Sequence, residues 1–368
     1  MLSEPEAPTK VIELTVVVPC FNERDNLPIL VDKLTAALAC IAWEVIFVDD
    51  DSPDGTANVA RKLAASNPRV RCIQRIGRRG LSTAVIEGML ASSAPYLAVI
   101  DGDLQHDERL LPEMLNALKD EKLDLVVGSR YVKGGGVGQW DRNRAAMSTL
   151  ATRLARLVIL EPLSDPMSGF FVITRPALER AVRRLSGQGF KILLDLFAST
   201  LEPYRFRELP YTFRDRLHGQ SKLDSFVAWE YLALLLDKLI GWLVPVRLVM
   251  FAAVGATGVV VHLVTLRIAM MAVSFAASQA IATTIAIISN FIINNTLTYR
   301  DRRLRGVKFF TGLLLFFAIC SVGAVANVGI ASTVFQQHYT WWLSALAGIA
   351  VGLVWNYAVS SALTWRQP

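Results

Sequence analysis

The chain has 368 residues, and its 38 Lys+Arg against 32 Asp+Glu leave a formal charge of +6. That excess is unevenly spread: residues 241–368 carry eight basic side chains and one acid, Asp301, and hold uncharged runs at 248–266, 268–299 and 309–365. One crossing of a bilayer takes about 20 apolar residues, so these runs read as membrane spans, and both a wholly soluble enzyme and a nucleic-acid binder with a basic face are excluded.

The opening MLSEPEAPTK has acids and prolines where a secretion signal needs a basic start and an apolar run, so the first 240 residues are expected to stay in the cytoplasm. The four cysteines, Cys20, Cys40, Cys72 and Cys320, show no CxxC spacing and read as reduced thiols. Short apolar runs then alternate with helical patterns. Strands are expected at 14–19, 43–50, 70–74, 96–101 and 124–130, with helices near 26–40, 55–65, 80–93 and 109–120. Buried strands alternating with helices make a mostly parallel sheet covered on both faces, an α/β fold whose ligand site lies beyond the carboxyl ends of the strands.

Those ends carry acids rather than a glycine-rich phosphate loop; neither GxGxxG nor GxxxxGK[ST] occurs. The second strand runs into Asp49-Asp50-Asp51, and the fourth into Asp101-Gly102-Asp103-Leu104-Gln105. Two acids around one small residue can aim oxygens at a hard divalent ion, although Asp-Gly-Asp also suits a simple turn. In order along the chain stand VVVPCFNE (16–23), VDDDSPDGT (48–56), RIGRRGLSTA (75–84), DGDLQH (101–106), GSRY (128–131), DPMSGF (165–170) and RLHGQSK (216–222). This string resembles the family 2 glycosyltransferases, in particular their dolichol-phosphate mannose synthase branch, over roughly residues 12–225.

The resemblance implies a GT-A (Rossmann-like) domain, an inverting transfer from a nucleotide sugar, a Mg²⁺ or Mn²⁺ cofactor and a polyprenyl or dolichyl phosphate acceptor. It places Pro19, Asn22, Glu23, Asp50, Arg78 and Asp101 around the donor and assigns Asp101, Asp103 and Gln105 to the metal. Arg130, Arg144, Ser148, Arg216 and Lys222 fall on the positions for the acceptor phosphate, and Asp103, Arg130 and Arg216 are the groups expected to act in catalysis. Arg78 stands where the branch often has lysine. Arginine suits phosphate by its fork geometry, and a phosphate nucleophile, largely dianionic at neutral pH, needs no general base. His106 receives no role. GDP-mannose is the favoured donor because DPMSGFF resembles the mannose branch, with UDP-glucose as the alternative; the Q-x-x-R-W string of processive synthases does not occur. A lipid-linked sugar translocator whose soluble part only binds is the rival reading from another class.

The domains are expected at 1–222 for the catalytic part, 223–245 for amphipathic helices lying in the membrane interface and 246–368 for an all-α four-helix transmembrane part. SFVAWEYLALLLDKLIGWLVP (225–245) mixes aromatic, aliphatic and charged residues, which suits an interfacial position, or else a surface helix of the catalytic part. Spans are expected near 247–267, 274–298, 308–333 and 340–363. SNFIINNTLTYR (289–300) and WNYAVSSALTWR (355–366) align at an offset of 66, so the spans form two copies of a two-helix unit. The basic loop 300–308 and Arg366 mark one side, which the positive-inside bias makes cytoplasmic, together with the catalytic part and the C-terminus. This half resembles GtrA-like membrane proteins, which implies either an anchor or help in moving a lipid-linked sugar. Asn290, Asn294, Asn295, Asn327 and Asn356 are noted as polar groups at membrane depth.

Overall fold

The computed structural model describes residues 11–138, 142–159, 161–187, 189–214, 225–338 and 340–366. The chain forms two compact units, Met1–Leu239 and Ile240–Pro368. In the first, the elements follow the order β1 (Leu14–Cys20), α1 (Asn26–Ala37), β2 (Trp43–Asp49), α2 (Thr56–Ser66), β3 (Val70–Gln74), α3 (Leu81–Leu90), β4 (Tyr96–Val99), α4 (Leu111–Asp120), β5 (Leu125–Ser129), α5 (Arg142–Ala155), β6 (Phe171–Thr174), α6 (Arg175–Val182), α7 (Ile192–Ser199), β7 (Phe206–Pro210) and α8 (Ser225–Ile240).

The sheet order is β3-β2-β1-β4-β6-β5-β7. β6 alone runs antiparallel, between β4 and β5. Alternate residues of each strand feed opposite faces: Val16, Val18, Val45 and Phe47 pack with Leu30, Leu34, Met114 and Leu115, whereas Val17, Ile46 and Val48 pack with Val85, Met89, Leu178 and Leu193. The strand core is buried on both sides, as the near-continuous apolar runs require. β6 and β7 are absent from the sequence expectation, and together they place two further segments at the carboxyl edge. Gly128 of β5 is required there: a Cβ would come within 2.5 Å of the Phe170 ring just before β6.

α8 belongs to the first unit through its last turns. Leu234 and Leu235 join the second core face, the Tyr231 hydroxyl donates to Ala151 O at 2.6 Å, and Lys238 Nζ lies 2.6 Å from the fully buried Asp195 carboxylate. Lys238 is therefore a structural ion-pair partner and not a headgroup contact, because Asp195 would otherwise be a buried unpaired charge.

The second unit is α9 (Val246–Ala269), α10 (Phe275–Ile293), α11 (Val307–Gln336) and α12 (Trp341–Val359), each pair ending in a π-helical turn, Asn294–Thr298 and Ser360–Thr364. All four helices are long and apolar enough to cross a membrane. Their core is built from repeat mates: Phe251 with Phe316, Phe291 with Tyr357, and Tyr299 with Trp365, whose rings stack at 4.2 Å and 2°. The second helices of the two copies match at an offset of 66, whereas Gly258 and Gly323, the close-approach glycines of α9 and α11, match at 65. Each glycine faces the repeat asparagine of its partner helix, Asn290 or Asn356, so tightly that a Cβ would overlap it. Arg247 pairs with Asp301 at 2.6 Å and Arg302 donates to Trp365 O at 3.2 Å, gathering the basic residues at one end of this bundle.

Candidate active site

β1 lies between β2 and β4, so the carboxyl ends of those three strands bring the two acidic motifs together. Asp49 is fully buried and serves the turn, accepting from Ser52 N at 3.0 Å and Ser52 Oγ at 2.5 Å. Asp50 is 7% exposed; its Oδ2 accepts from Gly80 N at 2.7 Å, and Arg75 Nη1 stands 3.0 Å from Oδ1 in a charge contact lacking hydrogen-bond alignment. Burial raises the Asp50 pKa above the usual carboxylate range, with the Gly80 N–H and the Arg75 charge pulling it back. Arg75, itself 2% exposed, also holds Gly80 O and Thr83 Oγ1 and so fixes the third motif against the second.

The first motif turns back over the same edge. Asn22 N donates to Ser52 Oγ and Glu23 N to Thr56 Oγ1, both at 3.0 Å, while Glu23 Oε2 accepts from Asn26 Nδ2 at 2.7 Å. Pro19 stands beside Val48 in the register. Asn22, Asp51 and Leu104 all take positive φ, near 57–63°, a conformation that side chains adopt at a cost and that clusters at sites where the backbone is held for function. The two arginines of the third motif part company. Arg78 is exposed and pairs with Glu87 at 3.0 Å, whereas Arg79 lies over the Phe21 ring at 4.5 Å, beside Asn22.

Asp101 and Asp103 sit on the loop after β4. Asp103 Oδ1 accepts from Gln105 N at 3.2 Å, and Gln105 Nε2 donates to Arg214 O at 2.9 Å. Arg214 clamps this loop from beyond β7: its guanidinium reaches Asp107 and Glu108, and its own N–H donates to Gln105 O at 2.9 Å. Gly169 brings the DPMSGF segment close, since a Cβ there would stand 3.2 Å from Asp101 Oδ2.

His106 lies under the loop, 2% exposed, stacked on Phe170 and edge-on to Tyr211 and Phe213. Its Nδ1 accepts from Asp101 N at 3.1 Å, so the proton resides on Nε2, which stands 3.7 Å from Asp101 Oδ2. Burial pushes its pKa down to about 4, keeping it neutral. No cluster of three His, Cys, Asp or Glu side chains able to hold a metal occurs among the described residues. A pair of carboxylates completed by substrate oxygens is nonetheless the usual arrangement for Mg²⁺ on a diphosphate, and Asp101, Asp103 and Gln105 present that donor set.

At the end of β5, Arg130 forms a bidentate pair with fully buried Asp165, Nε and Nη2 both at 2.7 Å, with Arg130 N adding 3.1 Å. Against burial, which would lower it, the hydrogen bonds and charge of Asp165 hold the Arg130 pKa above the ordinary arginine value. The Arg130 guanidinium also lies 5.5 Å from the Tyr131 and Phe213 rings. Tyr131 OH and Ser148 Oγ of α5 are 2.6 Å apart, so Ser148 comes to the GSRY segment. Of Arg144 only the helical backbone is described; Arg216 and Lys222 lie outside the described residues. Sequence reading missed Arg75, Asp165 and Arg214, the residues that hold the motif residues in place.

Residues 15–181 match Glycosyl transferase family 2, and residues 250–365 match the GtrA/DPMS transmembrane domain. The chain is similar to a dolichol-phosphate mannosyltransferase of Pyrococcus furiosus, 32% identical over 358 residues that cover 96% of this chain and 99% of that one. It is also similar to a dolichol-phosphate mannosyltransferase of Saccharomyces cerevisiae, 38% identical over 60% of this chain and 85% of that one. Among solved structures, glucosyl-3-phosphoglycerate synthase from Mycobacterium tuberculosis is similar over 62% of this chain and 80% of its own, at 19% identity and a TM-score of 0.46.

Proposed function

The chain belongs to the dolichol-phosphate mannosyltransferase family within glycosyltransferase family 2, and we propose that it transfers mannose from GDP-mannose to a polyprenyl or dolichyl phosphate. It is a glycosyltransferase and an integral membrane protein with a GT-A-like catalytic unit. The observation that carries the proposal is the meeting of Asp50, Asp101 and Asp103 at one sheet edge.

In this reading Asp50, held by Gly80 N–H and Arg75, and the Asn22–Glu23 turn seat the nucleoside. A divalent ion bound by Asp101, Asp103 and Gln105 would supply positive charge to the departing diphosphate. Arg144, Ser148, Arg216 and Lys222 are assigned to the acceptor phosphate. Arg130 is held bidentately by Asp165, so in this reading its part is to fix the GSRY segment at the acceptor side. The phosphate oxygen attacks the anomeric carbon in line as the bond to the diphosphate breaks, with inversion. Neutral His106 keeps the Asp101 loop in place and moves no proton. In this reading the positive-inside bias of the basic residues in the membrane unit favours a cytoplasmic reaction, and the 223–245 stretch is assigned to the membrane interface.

The test is to incubate the purified full chain in detergent with a panel of nucleotide sugars and a polyprenyl phosphate, following the glycosylated lipid by mass. GDP-mannose should give mannosyl phosphoprenol and GDP. Preference for UDP-glucose would replace the donor, and binding without any lipid product would leave the translocator reading standing.

A further inference from the structure

The two copies of the membrane unit share a regularity that no group of the catalytic unit needs. Asn290, Asn294 and Thr298 follow at four-residue steps along α10 and its π turn; Asn356, Ser360 and Thr364 hold the same steps, 66 residues on. At each of the six positions one side-chain oxygen is buried and has no hydrogen-bond partner among the described residues. Asn294, Thr298, Ser360 and Thr364 are 1%, 5%, 0% and 6% exposed.

Local chemistry does not account for this. A helical hydroxyl ordinarily returns to the carbonyl four residues earlier, as Thr296 does to Ile292 at 2.8 Å in the same turn, but those of Thr298, Ser360 and Thr364 do not. Helix packing accounts for only the first of each trio, Asn290 on Gly258 and Asn356 on Gly323. The four deeper groups are left over, and a polar group in a hydrocarbon surrounding is costly unless something bonds to it. Retention of that cost at two matched positions in both copies points to an occupant. Each row begins at a helix seam and runs toward the basic end of the bundle, through a π turn of the kind frequent at functional sites. The six atoms are three amide oxygens, which accept, and three hydroxyls, which both donate and accept, so the complement is a group that can do both, an O–H.

We propose that each helix pair holds a row of hydroxyl donors at membrane depth, bound by Asn290, Asn294 and Thr298 in one and by Asn356, Ser360 and Thr364 in the other. Ordered water and the hydroxyls of a sugar head group share this chemistry. The sugar source rests on the lipid-linked product proposed above; the water source does not.

Thr298→Val and Thr364→Val replace a hydroxyl by a methyl of the same shape. In the full chain in nanodiscs, each should lower the melting temperature of the membrane unit, because a hydrogen bond to the occupant is lost. An unchanged or raised melting temperature means a dry seam in which an unpaired hydroxyl was only a burden, and overturns the proposal. Ser360→Ala is the independent second variant, with the same expectation. Amide exchange over 290–298 and 356–364 separates the sources: glycosylated prenyl phosphate, but not prenyl phosphate, slows it roughly tenfold if sugar hydroxyls fill the rows, and neither lipid changes it if water does. The melting result needs no catalysis, so it stands or falls apart from the donor and acceptor assignments.

Discussion

The two units handle buried polarity in opposite ways. In the catalytic unit buried charges meet partners brought from far along the chain: Arg130 with Asp165, Arg75 with Asp50, Lys238 with Asp195. In the membrane unit the six buried groups matched between the copies are neutral and short, and one oxygen of each stands unpaired in register among the described residues. Chemistry on a charged diphosphate needs fixed cations and anions in a surrounding that tolerates them, whereas a bilayer makes each charge expensive and admits hydroxyls and amides far more readily. The contrast predicts that single changes in the first unit act strongly and locally.

The largest effect falls on the paired charges. Asp165→Asn leaves Arg130 buried without its anion and should cost about 3–5 kcal/mol in the stability of the catalytic unit, read by chemical denaturation. A loss under about 1 kcal/mol, typical of an exposed pair, would remove the contrast. Next is the site itself. Asp103→Asn should lower turnover by about two to three orders of magnitude with the fold retained, and a chelator should do the same to the unsubstituted chain. Chelator-insensitive transfer would detach Asp103 from any metal.

The third prediction concerns His106. Its folded pKa of about 4 lies below the ordinary 6.5, so between those values the unfolded chain binds a proton that the folded chain refuses. The stability difference is fully present above pH 6.5 and is lost as pH falls toward 4, by roughly 3 kcal/mol at most. Comparing denaturation of the unsubstituted chain and His106→Asn across that window should show the slope shrink in the variant; identical slopes would mean that His106 titrates normally. A smaller effect is expected on the acceptor side. Arg144→Ala should raise the polyprenyl phosphate requirement by about tenfold and leave that for donor nearly unchanged, and equal changes would place this arginine elsewhere.

How much of this was legible in one dimension follows from the same contrast. β1 to β5 and the acids at their ends are visible because apolar runs and carboxylates are local features. β6, only Phe171–Thr174, hides behind DPMSGF, and β7, FRELP, alternates charge at a sheet edge. Asp165, Arg75 and Arg214 were invisible as positioning groups because their partners lie 35, 25 and more than a hundred residues away, distances at which spacing carries no signal. In the membrane unit the 66-residue match of α10 and α12 stands out through its polar residues. The 65-residue match of α9 and α11 rests on a glycine and a phenylalanine in apolar surroundings, and the one-residue slip between the two offsets conceals it.

If the units divide the labour as their buried groups suggest, transfer should survive separation from the spans. Every group assigned to donor, metal or acceptor phosphate precedes residue 223. The direct measurement is the rate at which a protein ending at Pro245 glycosylates a short, water-soluble prenyl phosphate, beside the full chain under the same conditions. Comparable rates are predicted. Loss of transfer in a shortened protein shown to be folded would mean that the membrane unit helps to build the active site.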